Sequence, residues 1–199
     1  MGTVSATPPP ARVVLDFWFD GDDGTSRGQP RAQWFRKDPG FDRLIASRFG
    51  PWLEQALAGG LQDWTATPDG TLALILVLDQ FSRNVHRGSP RAFAGDARAL
   101  ALAQGLVSTG EDRRLSSLQR WFAYLPFEHA EDIAEQDESV RLFTALAAED
   151  ARLADALDYA HRHRDLILRF GRFPHRNAVL GRTSTAEEEA YLAQPGAGF

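Results

Sequence analysis

The stretch behind Thr67-Pro68 constrains this chain more than any other. Threonine followed by proline is a helix start, a capping hydroxyl and then a fixed φ in the opening turn. Residues 71–88 read TLALILVLDQFSRNVHRG. Their apolar side chains recur on all sides of a helix rather than along one stripe, so the helix has to be enclosed by others. The rest of the chain supplies the partners. Asp38-Pro39 repeats the start signal, and Phe41, Leu44, Ile45, Phe49, Trp52, Leu53, Ala56 and Leu57 follow at the spacing of one helix face. Pro51 is expected to bend or split that helix, and Gly59-Gly60 ends it. Ser89-Pro90 opens another helix through about Val107. Capping boxes are expected at Ser116 with Gln119 and at Ser184 with Glu187. Further helices fill 130–148 and 150–170, closed by Gly171.

Strand signals are almost absent. Val13 to Phe19 reads as a short buried helix, and 21–33, GDDGTSRGQPRAQ, as a polar loop. Neither a repeat unit nor a linker is legible. The fold class predicted is all-α: one domain over 11–193, of about seven to nine helices, with flexible termini at 1–10 and 194–199. The bulk numbers are those of an ordinary globular protein, 43 % hydrophobic and 25 % charged over 199 residues. A net charge of -5 argues against nucleic-acid or anionic-membrane partners. With no cysteine, disulfides, zinc–thiolate sites and thiol nucleophiles are excluded. MGTVSATPPP has neither the basic nor the apolar part of a secretory signal, and Leu72 to Leu78 falls far short of a membrane span, which needs about 20 residues. A soluble, cytoplasmic bacterial protein is expected.

Polar residues collect in three places. Asp79 and Gln80 end the buried helix, and Arg83, one turn on, pairs with Asp79. In LPFEHAEDIAEQ, Leu125 to Gln136, Pro126 is expected to start a helix, with Glu128, Glu131 and Asp132 in turns that favour negative charge. His129, among three carboxylates, should hold its proton more tightly. Glu128, His129 and Asp132 could contribute to a metal site, but no HExxH or paired-histidine spacing supports one, and without a Walker loop or dinucleotide fingerprint no cofactor is expected. The third cluster, His161 to Asn177, carries five arginines and one aspartate between His161 and Arg176. Arg169 and Arg172 suit a helix C-terminus, and Arg162 and Arg164 point outward to pair with the acidic segment 126–158. Phe173-Pro174-His175-Arg176-Asn177 partly echoes Phe81-Ser82-Arg83-Asn84, and Asn84 and Asn177 are the only asparagines in the chain. Guanidinium forks beside amides suit a carboxylate or phosphate.

The strings VLDFWF, LDQFSRN, LPFEHAED and RFGRFPHRN, in this order, resemble the bacterial domain-of-unknown-function family numbered 924, from about Val13 to Leu192. That resemblance implies an all-helical fold related to tetratricopeptide-repeat superhelices and no established activity. The matching positions are Asp79, Gln80, Arg83, Asn84, His129, Glu131, His163, Arg169, Gly171, Arg172, Phe173, Pro174, His175, Arg176 and Asn177; His161 and Arg162 lie outside the pattern. Ala130 stands where the family often has serine, which argues against a nucleophile there. Two function classes follow. One is a pocket for a small anion, with Asp79, Gln80, Arg83, Asn84, Arg169, Arg172, Arg176 and Asn177 binding and His129, Glu131, His163 and His175 moving protons. The other is a scaffold that clamps an acidic peptide in a groove.

Overall fold

The computed structural model describes residues 6–20 and 28–198. Among them there is no strand. The α-helices are α1 (Pro9–Leu15), α2 (Pro39–Leu57), α3 (Pro68–Leu76), α4 (Ser82–Val85), α5 (Asp96–Thr109), α6 (Ser117–Glu128), α7 (Ile133–Glu149), α8 (Ala154–Phe170) and α9 (Ala186–Leu192). None is long and apolar enough to cross a membrane.

α3 is enclosed, as its all-round apolar composition requires. Every residue from Gly70 to Leu76 is buried, and the helix continues through a wholly buried π turn, Val77–Phe81, into α4. α1, α5 and α6 surround α3, and α2 covers the π turn. At the head of α5, a Cβ on Gly95 would lie 2.3 Å from the Leu78 carbonyl oxygen, so only glycine lets α5 press against this turn. An aromatic layer closes the core beside it. Trp18 meets Phe81 and Phe122 at ring separations of 5.5 Å and Trp34 at 6.2 Å. The short buried helix expected at Val13–Phe19 is α1 with a π segment, Asp16–Asp20, whose Phe17 and Trp18 carbonyls accept from Arg31 at 2.7 Å each.

Local start and stop signals hold where the chain itself satisfies them. Asp38 caps α2 through Gly40 and Phe41, Thr67 caps α3, Ser116 and Gln119 form a capping box, and Gly171 ends α8 in the left-handed region. Four details differ. Pro51 neither splits nor ends α2. Ser89-Pro90 opens a 3-10 turn, Pro90–Phe93, before α5 begins at Asp96. The last capping box is Thr185 with Glu188, one residue beyond the expected pair. Pro126 starts nothing: it sits in the last turn of α6, where it removes only the amide bond toward the Phe122 carbonyl. Within the expected 21–33 loop, residues 21–27 lie outside the described residues, and Ala32–Trp34 is a 3-10 turn with Trp34 buried. The first helix begins at Pro9, and at the other end the Gly198 amide donates to the Tyr191 hydroxyl at 3.2 Å.

Candidate functional site

The π turn places Asp79 and Gln80 in the interior, Asp79 only 1 % exposed. Such one-turn departures from α geometry recur at functional sites. Three donors meet the Asp79 carboxylate: Arg83 Nη1 at 2.9 Å and His129 Nδ1 at 2.7 Å on Oδ1, and Gln80 Nε2 at 2.7 Å on Oδ2. Burial pushes this carboxyl up, but the Arg83 charge and His129 outweigh it and hold the group well below the usual carboxylate range. Arg83 also donates to the Asp79 main-chain oxygen at 2.9 Å and forks onto Asp96 at 2.9 and 3.0 Å.

His129 is the C-cap of α6, and its corner is fixed from α7: Gln136 Nε2 donates to the carbonyls of Glu128 (2.7 Å) and Ala130 (2.8 Å). Its pKa is lowered, opposite to the expectation from its acidic neighbours. Burial is the main cause and the Arg83 charge the next, with Asp79 opposing both. Chain neighbours mislead here, because Glu131 turns away to Arg182 (2.6 and 2.9 Å) and Asp132 caps α7. The neutral imidazole donates Nδ1–H to Asp79, which leaves the lone pair on Nε2.

Glu128 lies beside it, buried at the C-terminal end of α6, where the helix dipole disfavours an anion. Burial, and then the Asp79 charge, push its carboxyl up to about 8, so it is protonated at neutral pH. The sequence places it in a first helical turn and offers it no acid role, a consequence of reading Pro126 as a start. His163 Nδ1 stands 2.9 Å from the Tyr159 carbonyl and 3.2 Å from Glu128 Oε1, and burial holds its pKa well below the ordinary value. Glu128, His129 and His163 all line one cavity of about 310 Å3, whose other walls are Phe35, Trp121, Leu125, Asp155, Ala156 and Tyr159. That volume is at the small end of ligand sites, about 300–1,000 Å3.

Behind this wall the two Arg-Asn motifs half converge. Arg83 and Arg176 share Asp96, with Arg176 Nη1 at 3.6 Å, and both stack on Phe93, at 5.7 and 4.8 Å from the ring centroid. The asparagines do not meet. Asn84 donates to Asp42 at 2.7 Å and fastens α4 to α2; Asn177 bonds Ser184 at 3.0 Å and Arg182 at 2.9 Å. Arg169 pairs with Glu187 (2.8 Å) and Arg172 with Glu188 (2.6 Å), tying α9 to the end of α8. Glu131 accepts from the Phe173 amide (2.8 Å) as well as from Arg182, and so anchors the 173–182 segment rather than the cavity. His175 lies 5.5 Å from Phe173 and is held at a pKa of about 4, by burial and then by Arg176. Asp96, Gln136 and the aromatic walls have no signal in the sequence that marks them. Among the described residues, no group of three His, Asp or Glu is arranged to hold a metal ion.

The chain matches, over residues 14–196, the family described as bacterial protein of unknown function (DUF924). It belongs to that family. The solved structure of a protein of unknown function from Agrobacterium tumefaciens is similar, at 38 % identity and a TM-score of 0.82, covering 94 % of this chain and 99 % of that one. No curated protein matches. Family membership thus agrees with the all-helical architecture and brings no activity with it, so function has to be argued from the cavity.

Proposed function

We propose that the cavity is an acid/base site for a small organic substrate, with His129 as general base, Asp79 as the residue that positions it, and Glu128 as general acid. One observation carries this: two adjacent side chains on one cavity are driven to complementary states, the imidazole neutral and the carboxyl protonated. Environments that separate the pKa values of neighbouring groups are how proteins assign acid and base roles at neutral pH. Arg83 and Gln80 hold Asp79, Asp79 holds the His129 tautomer, and Gln136 holds the corner that presents both groups.

The test is an activity screen of small esters, lactones and enolisable ketones with the wild type, His129→Gln and Glu128→Gln. Each substitution is expected to lower the rate by about 10²–10⁴-fold. The wild-type pH profile should be bell-shaped, with its acid limb below 6.5 and its alkaline limb near about 8. Activity that survives both substitutions would place the chemistry elsewhere.

A second reading, a small phosphate or carboxylate held between Arg83 and Arg176, is favoured by one feature. Arg176 is buried, its Nε has no hydrogen-bond partner among the described residues, and burial followed by the Arg83 charge lowers its pKa to about 10. A thermal shift by inorganic phosphate that disappears in Arg176→Gln is the outcome this reading requires. Clamping of an acidic peptide in the cavity is disfavoured, because among the described residues its lining contains carboxylates and imidazoles but neither Arg nor Lys.

A further inference from the structure

The charge and shape of the cavity wall also select among substrates. Resting on the acid/base reading above, we propose that the site takes an organic ammonium ion with a ring-sized apolar body, its charge held between Asp155 and the aromatic rings of the mouth. Three aromatic side chains line the cavity, and two of them, Phe35 at 58 % and Tyr159 at 46 %, are exposed. Phe35 stacks on Trp121 with centroids 5.1 Å apart, so this part of the mouth is braced by ring contact. Exposed rings grouped round an opening attract a cation through their electron-rich faces, and do so best where water is thinned out.

Charge points the same way. Among the described lining residues, Asp155 and Glu128 are carboxylic acids and none is Arg or Lys. Two nearby guanidinium groups are spent on other partners: Arg162, which covers the Tyr159 ring at 5.1 Å, is paired with Asp158 at 2.7 Å, and Arg83 is neutralised by Asp79 and Asp96. An anion entering here meets Asp155, and none of the described lining residues offers a guanidinium to receive it. An ammonium ion meets a carboxylate at the mouth and rings around it. Size fits as well, since a dry cavity of about 150 Å3 already holds benzene, and about 310 Å3 leaves space for a short charged arm.

The experiment compares benzylamine, benzyl alcohol and benzoate, which share a ring and differ in charge. Binding is read by tryptophan fluorescence, to which Trp121 of the cavity wall contributes, by thermal shift, and by the NMR shifts of the His129 ring. Benzylamine should bind about tenfold tighter than benzyl alcohol, and benzoate weakest. Asp155→Asn should remove most of the benzylamine preference and leave benzyl alcohol unchanged; Asp155 is exposed, so the fold is retained. If benzyl alcohol or benzoate matches benzylamine, or if Asp155→Asn keeps the preference, the ammonium assignment is wrong while the acid/base reading stands. If none of the three binds or moves the His129 signals, the cavity is not a ligand site and both fall.

Discussion

Asp79→Ala is expected to destabilise the fold by about 3–5 kcal/mol, because it takes one of two carboxylate partners from the Arg83 guanidinium and leaves buried donors unsatisfied. The Arg83 guanidinium keeps Asp96 but loses its contact inside the π turn, and the His129 Nδ1–H and Gln80 amide lose their acceptor together. For a chain of this length the midpoint of thermal unfolding should fall by roughly 6–20 °C. Urea denaturation of both proteins at neutral pH measures the loss. Asp79→Asn keeps the volume and one acceptor oxygen, so it should cost less stability but still impair the base. With the carboxylate charge gone and Arg83 in place, the imidazolium is disfavoured further, and the acid limb of any rate profile moves to lower pH. A merely structural Asp79 would leave that limb where it was.

Glu128→Gln should do the reverse and stabilise the protein, increasingly as the pH rises. The folded-state pKa of Glu128 is about 8 against an ordinary 4.5, so the wild type gains most from this group below 4.5 and loses that gain as pH rises toward about 8. The full difference corresponds to at most about 5 kcal/mol at 1.36 kcal/mol per unit. Glutamine fills the same space without a proton to lose. Other buried groups, His163 and His175 among them, titrate in both proteins, so the difference between the two stability curves isolates Glu128. Urea midpoints for both proteins at about pH 5 and about pH 8 decide the matter: the gap should widen with pH, and parallel curves would mean that Glu128 is an ordinary ionised carboxylate.

Much of the fold is legible because the signals that specify it are local. Thr67-Pro68, Asp38-Pro39, Ser116 with Gln119 and Gly171 act within a single turn, and the all-round apolar sequence of α3 requires its enclosure. The pairing of Asp79 with Arg83 is likewise visible as one helical turn. The site is only half legible, because its chemistry depends on what tertiary packing adds. Pro126 carries a start signal, yet α6 runs through it, and this places Glu128 and His129 at a helix end facing α8 rather than in a first turn. The pKa of His129 follows burial and Arg83, neither of which is adjacent to it in the chain. The echo between Arg83-Asn84 and Arg176-Asn177 is real for the arginines, which share Asp96, and empty for the asparagines, which fasten separate segments. Arg169 and Arg172, plausible as ligand clamps in sequence, are the ties at a helix end that their position near Gly171 also predicts.

The pairing of a neutral His129 with a protonated Glu128 is open to one direct measurement. NMR of the Glu128 side-chain carboxyl carbon and the His129 ring nitrogens, followed from acid to mildly alkaline pH, reads both protonation states in the intact protein. Glu128 should remain protonated at neutral pH and titrate near about 8, while His129 stays neutral with its proton on Nδ1 and titrates below 6.5. A Glu128 midpoint near 4.5 together with a His129 midpoint above 6.5 would reveal an ordinary ion pair, and the cavity would then have no acid and base to offer a substrate.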